Sequence, residues 1–232
     1  MPNKIGIIGA MDSEVEILRS RLENPRAAER AGTEFYEGSL EGKSVVLARC
    51  GVGKVNAAMI TQLLIDLYEV SAVLNTGVAG GFDPAVRVGD IVVSTEALQH
   101  DFDLTALGDP PGKIPNLPLR LPADPRLMKI AVSAGEKVIT GAKIHTGLVA
   151  SGDAFISRPE QRELLSQRFS PMCVEMEGAA MAHVCRLNGL PFVIIRAISD
   201  AANDEAPVSF AEFVAEAAKK SADLVTEALK EI

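Results

Sequence analysis

The apolar run Pro191-Phe192-Val193-Ile194-Ile195 most constrains what this chain can fold into. Three consecutive β-branched residues with no polar alternation read as a strand buried on both faces, and specifically as a parallel strand in a helix-covered sheet. The segment continues through Arg196-Ala197-Ile198-Ser199 to Asp200, and a charge there is costly unless the fold uses it. Upstream, Val174-Glu175-Met176-Glu177-Gly178 sets two more carboxylates in an apolar stretch. Asp200 falls at the strand edge where open α/β sheets bind ligands, so its carboxyl is a candidate general acid. It reads equally as a helix N-cap or as a buried ion pair with Arg196.

Strand and helix signals alternate along the rest of the chain. Lys4–Gly9 reads as a first strand, and Ser13-Glu14-Val15-Glu16 as a capping box opening a helix to about Leu22. Glu34–Leu40 and Ser44–Cys50 form a predicted hairpin turning at Glu41-Gly42. A helix over Val55–Tyr68 and a buried strand over Ala72–Asn75 precede an expected glycine-rich turn, Thr76–Gly81. Strands follow at Asp90–Leu98, Lys143–Ala150 and Met172–Met176, with helices at Arg126–Val138, Glu160–Phe169 and Gly178–Leu187. Ser209-Phe210-Ala211-Glu212 reads as a second capping box opening a final amphipathic helix. The long Pro-, Gly- and Asp-rich segment His100–Pro125 marks a site or an interface. The expected architecture is a three-layer α/β/α fold on a central mixed, mostly parallel twisted sheet, with residues 1–232 as one domain.

A net charge of -8 argues against nucleic acid or an anionic membrane as partner. No segment reads as a signal peptide or a bilayer span, which predicts a cytoplasmic protein. Cys50, Cys173 and Cys185 lack metal-type spacing and read as reduced core residues. His100-Asp101-Phe102-Asp103 reads as loop polarity rather than a metal site, and no metal or cofactor is expected. Gly6-Ile7-Ile8-Gly9 lacks the dinucleotide spacing, and Gly51-Val52-Gly53-Lys54 lacks that of a phosphate loop. Gly77–Gly81 would let a ligand approach the backbone closely, or form a simple turn. Glu14, in the first turn of a helix, is either a dipole-stabilised surface residue or an ionised general base.

Ile5-Gly6-Ile7-Ile8-Gly9-Ala10-Met11 with Glu14, Asn75–Gly81, Val88–Val92, Ser151–Ile156, Val174–Glu177 and Arg196–Asp200 occur in this order. Together they resemble the bacterial 5′-methylthioadenosine/S-adenosylhomocysteine nucleosidases of the nucleoside phosphorylase superfamily, from the first strand to the last helix. The resemblance implies hydrolysis of the adenine–ribose bond without metal. Asp200 would protonate the base, positioned by Ser199, while Glu14 activates water with Arg196. Among substrate-binding residues it implies Glu175, Glu177 on the ribose hydroxyls, Met176 against the sugar, Phe155 stacked on adenine and the backbone of Ile156 at its edge. Val78, Ala79 and Gly80 would border the sugar, and Met11, Val52 and Phe210 the 5′ sulfur substituent. It further implies a homodimer in which Leu104, Leu107 and Pro115 close the partner's pocket. Many relatives carry serine where this chain has Val78.

Two rival readings come from the same residues. A nucleoside phosphorylase would need cations for phosphate near the end of the first strand, where Asp12 and Glu14 stand instead. A non-catalytic nucleoside-binding domain would have no need of an acid at the leaving base.

Overall fold

A computed structural model describes residues 4–203 and 205–232. The apolar runs become the strands of one ten-stranded sheet. In chain order the elements are β1 (Ile5–Gly9), α1 (Asp12–Arg21), β2 (Glu23–Arg30), β3 (Thr33–Leu40), β4 (Lys43–Arg49) and α2 (Lys54–Tyr68). Next come β5 (Ala72–Gly81), β6 (Ile91–Gln99), β7 (Leu121–Pro122), α3 (Pro125–Val138), β8 (Ile144–Ser151) and α4 (Pro159–Arg168). The chain closes with β9 (Cys173–Glu175), α5 (Gly178–Asn188), β10 (Phe192–Asp200) and α6 (Ala206–Leu229).

The strand order is β10-β6-β8-β9-β5-β1-β4-β3-β2, and β10 also pairs with β5. Five strands, β5, β10, β6, β8 and β9, therefore close into a ring from which β1, β4, β3 and β2 extend. The sheet is mixed. β10 is parallel to β5 but antiparallel to β6, so the Pro191–Ile195 run is parallel on one flank only. β5 and β10 are buried at every position, as their unbroken apolar character demands. Helices α1, α3 and α6 contribute to one core cluster and α2 and α5 to another. No helix among the described residues is long and apolar enough to cross a membrane.

Several local expectations are corrected by tertiary context. Thr76–Gly81 is not a turn but the second half of β5. It stays extended because it pairs with β10 and, at Gly80 and Gly81, with β9. α1 starts one residue before Ser13, and its N-cap is Met11. There Glu14 turns back to accept from the amides of Ala10 at 2.6 Å and Met11 at 2.9 Å. α6 begins at Ala206 rather than at the Ser209 box, with Pro207 in its first turn, where a missing N–H costs nothing. β2 escaped the pattern reading because seven of its eight residues are exposed, so it carries no buried-face signal.

Two features aim the functional end. Between Ile198 and Asp200 the β10–β5 register shifts, and such an irregularity redirects the side chain that follows. Asn75, Ser94 and Ser151 are buried polar residues within the strands, each in a hydrogen bond.

Phe35 is fully buried and stacks on Tyr68 with ring centroids 5.2 Å apart. Urea denaturation of Phe35→Ala is expected to show a loss of about 3–5 kcal/mol. A loss below about 1 kcal/mol would contradict this packing.

Candidate active site

A cavity of about 200 Å³ opens at the C-terminal ends of β1, β5, β9 and β10, where α/β sheets place ligands. Its wall includes Met11, Glu14, Val52, Val78, Ala79, Gly80, Phe155, Ile156, Glu175, Met176, Glu177, Ser199, Asp200 and Phe210. Sequence reasoning named all of these; it missed Ala10, Ala154 and Val174, small or apolar residues with no chemical signature.

Glu14 is buried in the first turn of α1. Its Oε2 accepts from Ala10 and Met11, and its Oε1 accepts from the Val78 amide of β5 at 2.9 Å. Three backbone amides thus fix the carboxylate across two strand ends. Gly77 makes the approach possible, since a Cβ there would lie 2.5 Å from Glu14 Oε1. Burial raises the Glu14 carboxyl above its ordinary value, and the Arg196 charge and the three amides only partly offset it.

Arg196 is almost wholly buried and lies behind the wall rather than in it. Its Nη2 donates to Glu175 Oε2 at 2.5 Å and to Asn75 Oδ1, and its Nη1 donates to the Ile195 carbonyl. The ion-pair alternative for Asp200 is therefore not what forms: the partner of Arg196 is Glu175. Glu175 also accepts from the amides of Glu177 and Gly178 and from the Ser151 hydroxyl. Four donors hold it, three of them on Oε2, which makes it a strut for the site. Asn75 and Ser151 are the further supports; both fall in stretches that carry the family resemblance, but nothing in the sequence marks them as supports.

Glu177 is freer. Its Oε1 accepts from the Gly53 amide at 2.8 Å, while Oε2 stands 4.0 Å from Arg196. Burial first, then the charge of Glu175, pushes its carboxyl up to about 7. Asp200 is buried at the end of β10. Its Oδ2 accepts from Ser199 Oγ at 2.9 Å and its Oδ1 from the Ala202 amide at 2.8 Å. Burial pushes the Asp200 carboxyl up, and these two donors only partly offset it. Gly80 gives it room, since a Cβ there would sit 2.8 Å from Oδ1.

The apolar side of the cavity is aromatic. Phe155 and Phe210 meet edge to face at 5.9 Å, and Phe155 is 46% exposed, so a flat ring can stack on it. Leu104, Leu107 and Pro115 do not line this chain's cavity; Leu107 is 79% exposed. Among the described residues no group of three or more His, Cys, Asp or Glu could hold a metal ion. Asp101 instead pairs with Lys54 at 2.5 Å, and His145 with Asp90 at 2.9 Å.

A comparison with protein families matches residues 4–230 to the Phosphorylase superfamily. A 5′-methylthioadenosine/S-adenosylhomocysteine nucleosidase of Geobacillus kaustophilus (strain HTA426) is 49% identical over 97% of this chain and 96% of its own length. The nucleosidase of the same name from Neisseria meningitidis, solved with methylthio-immucillin-A, superposes with a TM-score of 0.95 at 42% identity, covering 99% of this chain and 100% of that one. The Colwellia psychrerythraea 34H nucleosidase, solved with adenine, gives 0.95 at 43% identity, covering 99% and 95%.

The raised carboxyl of Glu177 sets a sign for stability. Its folded-state value of about 7 exceeds its ordinary 4.5, so its contribution is present at low pH and is lost as pH rises between them. Glu177→Gln is therefore expected to gain stability relative to the parent across that window, measured by urea denaturation at a series of pH values. A difference independent of pH would contradict the burial of this carboxyl.

Proposed function

The chain belongs to the phosphorylase superfamily, and from that premise we propose how its cavity acts as a 5′-methylthioadenosine/S-adenosylhomocysteine nucleosidase. The enzyme is an N-glycosyl hydrolase. It releases adenine from 5′-thio-substituted adenosines and leaves the 5′-thio-ribose.

Adenine leaves poorly as an anion, so cleavage needs a proton at its N7 as the C1′–N9 bond breaks. Asp200 supplies it: its carboxyl is biased toward the neutral form by burial and oriented by Ser199. The bond electrons pass into the protonated purine, and the ribosyl carbon becomes oxocarbenium-like. Water adds to C1′ from the opposite face and gives its proton to Glu14, whose amide donors and nearby Arg196 favour the ionised form. Arg196 and Ser199 act as positioning residues. Glu177 Oε2, without a close donor of its own, accepts from the ribose hydroxyls, with Met176 against the sugar and Val78, Ala79 and Gly80 along its edge. Phe155 stacks on the purine, and the Ile156 backbone reads its rim. Met11, Val52 and Phe210 take the 5′ sulfur substituent.

One observation carries hydrolysis over phosphorolysis. Among the described residues the cavity wall holds Glu14, Glu175, Glu177 and Asp200 and no lysine or arginine. The ionised Glu14 on the water's side would repel an attacking phosphate, and no described wall residue is a cation that could hold one, whereas neutral water meets no such barrier. The proposal extends to a cytoplasmic homodimer, with the whole chain as one domain, in which Leu104, Leu107 and Pro115 of one subunit cover the other's cavity. Leu107, an apolar side chain 79% exposed and outside its own chain's cavity, supports this cover.

Incubation with methylthioadenosine in phosphate-free buffer is expected to release adenine at a rate that added phosphate does not raise. Asp200→Asn and Glu14→Gln are each expected to lower kcat by at least about 100-fold while the protein still binds substrate. Strict dependence on phosphate, or near-normal turnover by either variant, would overturn the assignment.

A further inference from the structure

The hydrogen bonds of Asp200 lead to a residue outside the cavity. The amide that donates to Asp200 Oδ1 is that of Ala202. The carbonyl of the same peptide unit, Ala201 C=O, accepts from Arg162 Nη1 at 2.7 Å. Arg162 is the fourth residue of α4, and its guanidinium also donates to the carbonyls of Gly81 and Phe82 at the end of β5. Its charge lies 4.4 Å above the Phe82 ring. One side chain thus clasps the ends of the two strands, β5 and β10, whose register shift aims Asp200.

The clasped peptide is held in a conformation that needs holding. Ala202 has φ +49°, which an L-residue with a Cβ rarely adopts. It is also fully buried, and a Cβ at Gly80 would meet its methyl at 2.9 Å. Relaxation of this turn would carry the Ala202 amide away from Asp200. A charged donor on a peptide carbonyl also polarises that peptide and strengthens its N–H as a donor.

We propose that Arg162 is a positioning residue for the catalytic acid, acting through the Ala201–Ala202 peptide to fix the Asp200 carboxyl and to tune its acidity. This rests on the reading of Asp200 as the acid. Among the described residues, other charged groups near the relay are engaged elsewhere. Glu14, Glu175 and Glu177 share the cavity, each on its own donors. Asp83, after Phe82, accepts from the Ala85 amide, and Glu163 on α4 accepts from Gln167. With the polarised amide gone, the ionised form of Asp200 loses a donor, so its carboxyl moves higher still.

The test compares Arg162→Met and Arg162→Lys with the parent in steady-state adenine release from methylthioadenosine across pH, with melting temperature measured alongside. For Arg162→Met, kcat should fall about tenfold or more with KM changing far less. The basic limb of kcat/KM should move up by about half a pH unit. Arg162→Lys keeps a charge but not the fork, so it should recover part of the rate and part of the shift. If Arg162→Met does not fold, a smaller upward shift of the same sign in Arg162→Lys serves as the readout. A parent-like pH profile and kcat in the Met variant overturns the proposal. So does a lysine variant with no rescue of either quantity and only a lowered melting temperature. Asp200→Asn, run in parallel, separates the two levels. If it retains turnover, the reading of the site itself fails; if it is inactive while Arg162→Met behaves as the parent, only the relay fails.

Discussion

The whole arrangement depends on keeping several carboxyl groups out of water at one end of a sheet. Glu14, Glu175, Glu177 and Asp200 converge there, and each is buried. Desolvated charges of one sign are tolerable only when donors meet them or when a proton neutralises them. The fold supplies one buried guanidinium, Arg196, and backbone amides from strand ends and helix starts. β5 contributes by what it lacks: at Gly77 and Gly80 a side chain would collide with Glu14 and Asp200. The closed ring of five strands brings these donors together, because β10 is clamped between β5 and β6 while β9 ties β5 to β8.

The donors are not shared equally, and that inequality divides the labour. Glu14 has three amides and the field of Arg196. Asp200 has one amide and one hydroxyl, with no cation in hydrogen-bond contact among the described residues. Burial raises both carboxyls, but only Glu14 has a cation's field to counter it. Both carboxyls stand above their ordinary values, and it is the donors around them that divide the roles: an amide cluster and a cation's field at the base, one amide and one hydroxyl at the acid, as glycoside cleavage requires.

How much of this could be read from the chain follows from where the signals come from. The Pro191–Ile195 run and the carboxylates of Glu175, Glu177 and Asp200 stood out because polar residues in apolar runs break a local rule. The core strands and most helices were likewise local patterns. β2 was not, because an edge strand with no buried face leaves no periodic trace. Nor was the extended form of Thr76–Gly81, which depends on pairing with β10 and β9, both more than ninety residues away in the chain. Asp200 reads from the sequence as an acid, a helix N-cap or the ion-pair partner of Arg196; that the partner is instead Glu175 follows only from β9 lying beside β8 and β5. Arg162 gave no sign at all: a charged residue on a polar helix reads as solvated until the fold lays it over two strand ends.

The central claim is that Asp200 serves the leaving base and Glu14 serves the water. A 5-thio-ribosyl substrate bearing 4-nitrophenolate in place of adenine separates the two, because that anion departs without a proton. The account predicts that Asp200→Asn cleaves it at close to the parent rate while Glu14→Gln remains inactive. An Asp200→Asn variant as inert toward this substrate as toward methylthioadenosine would contradict it.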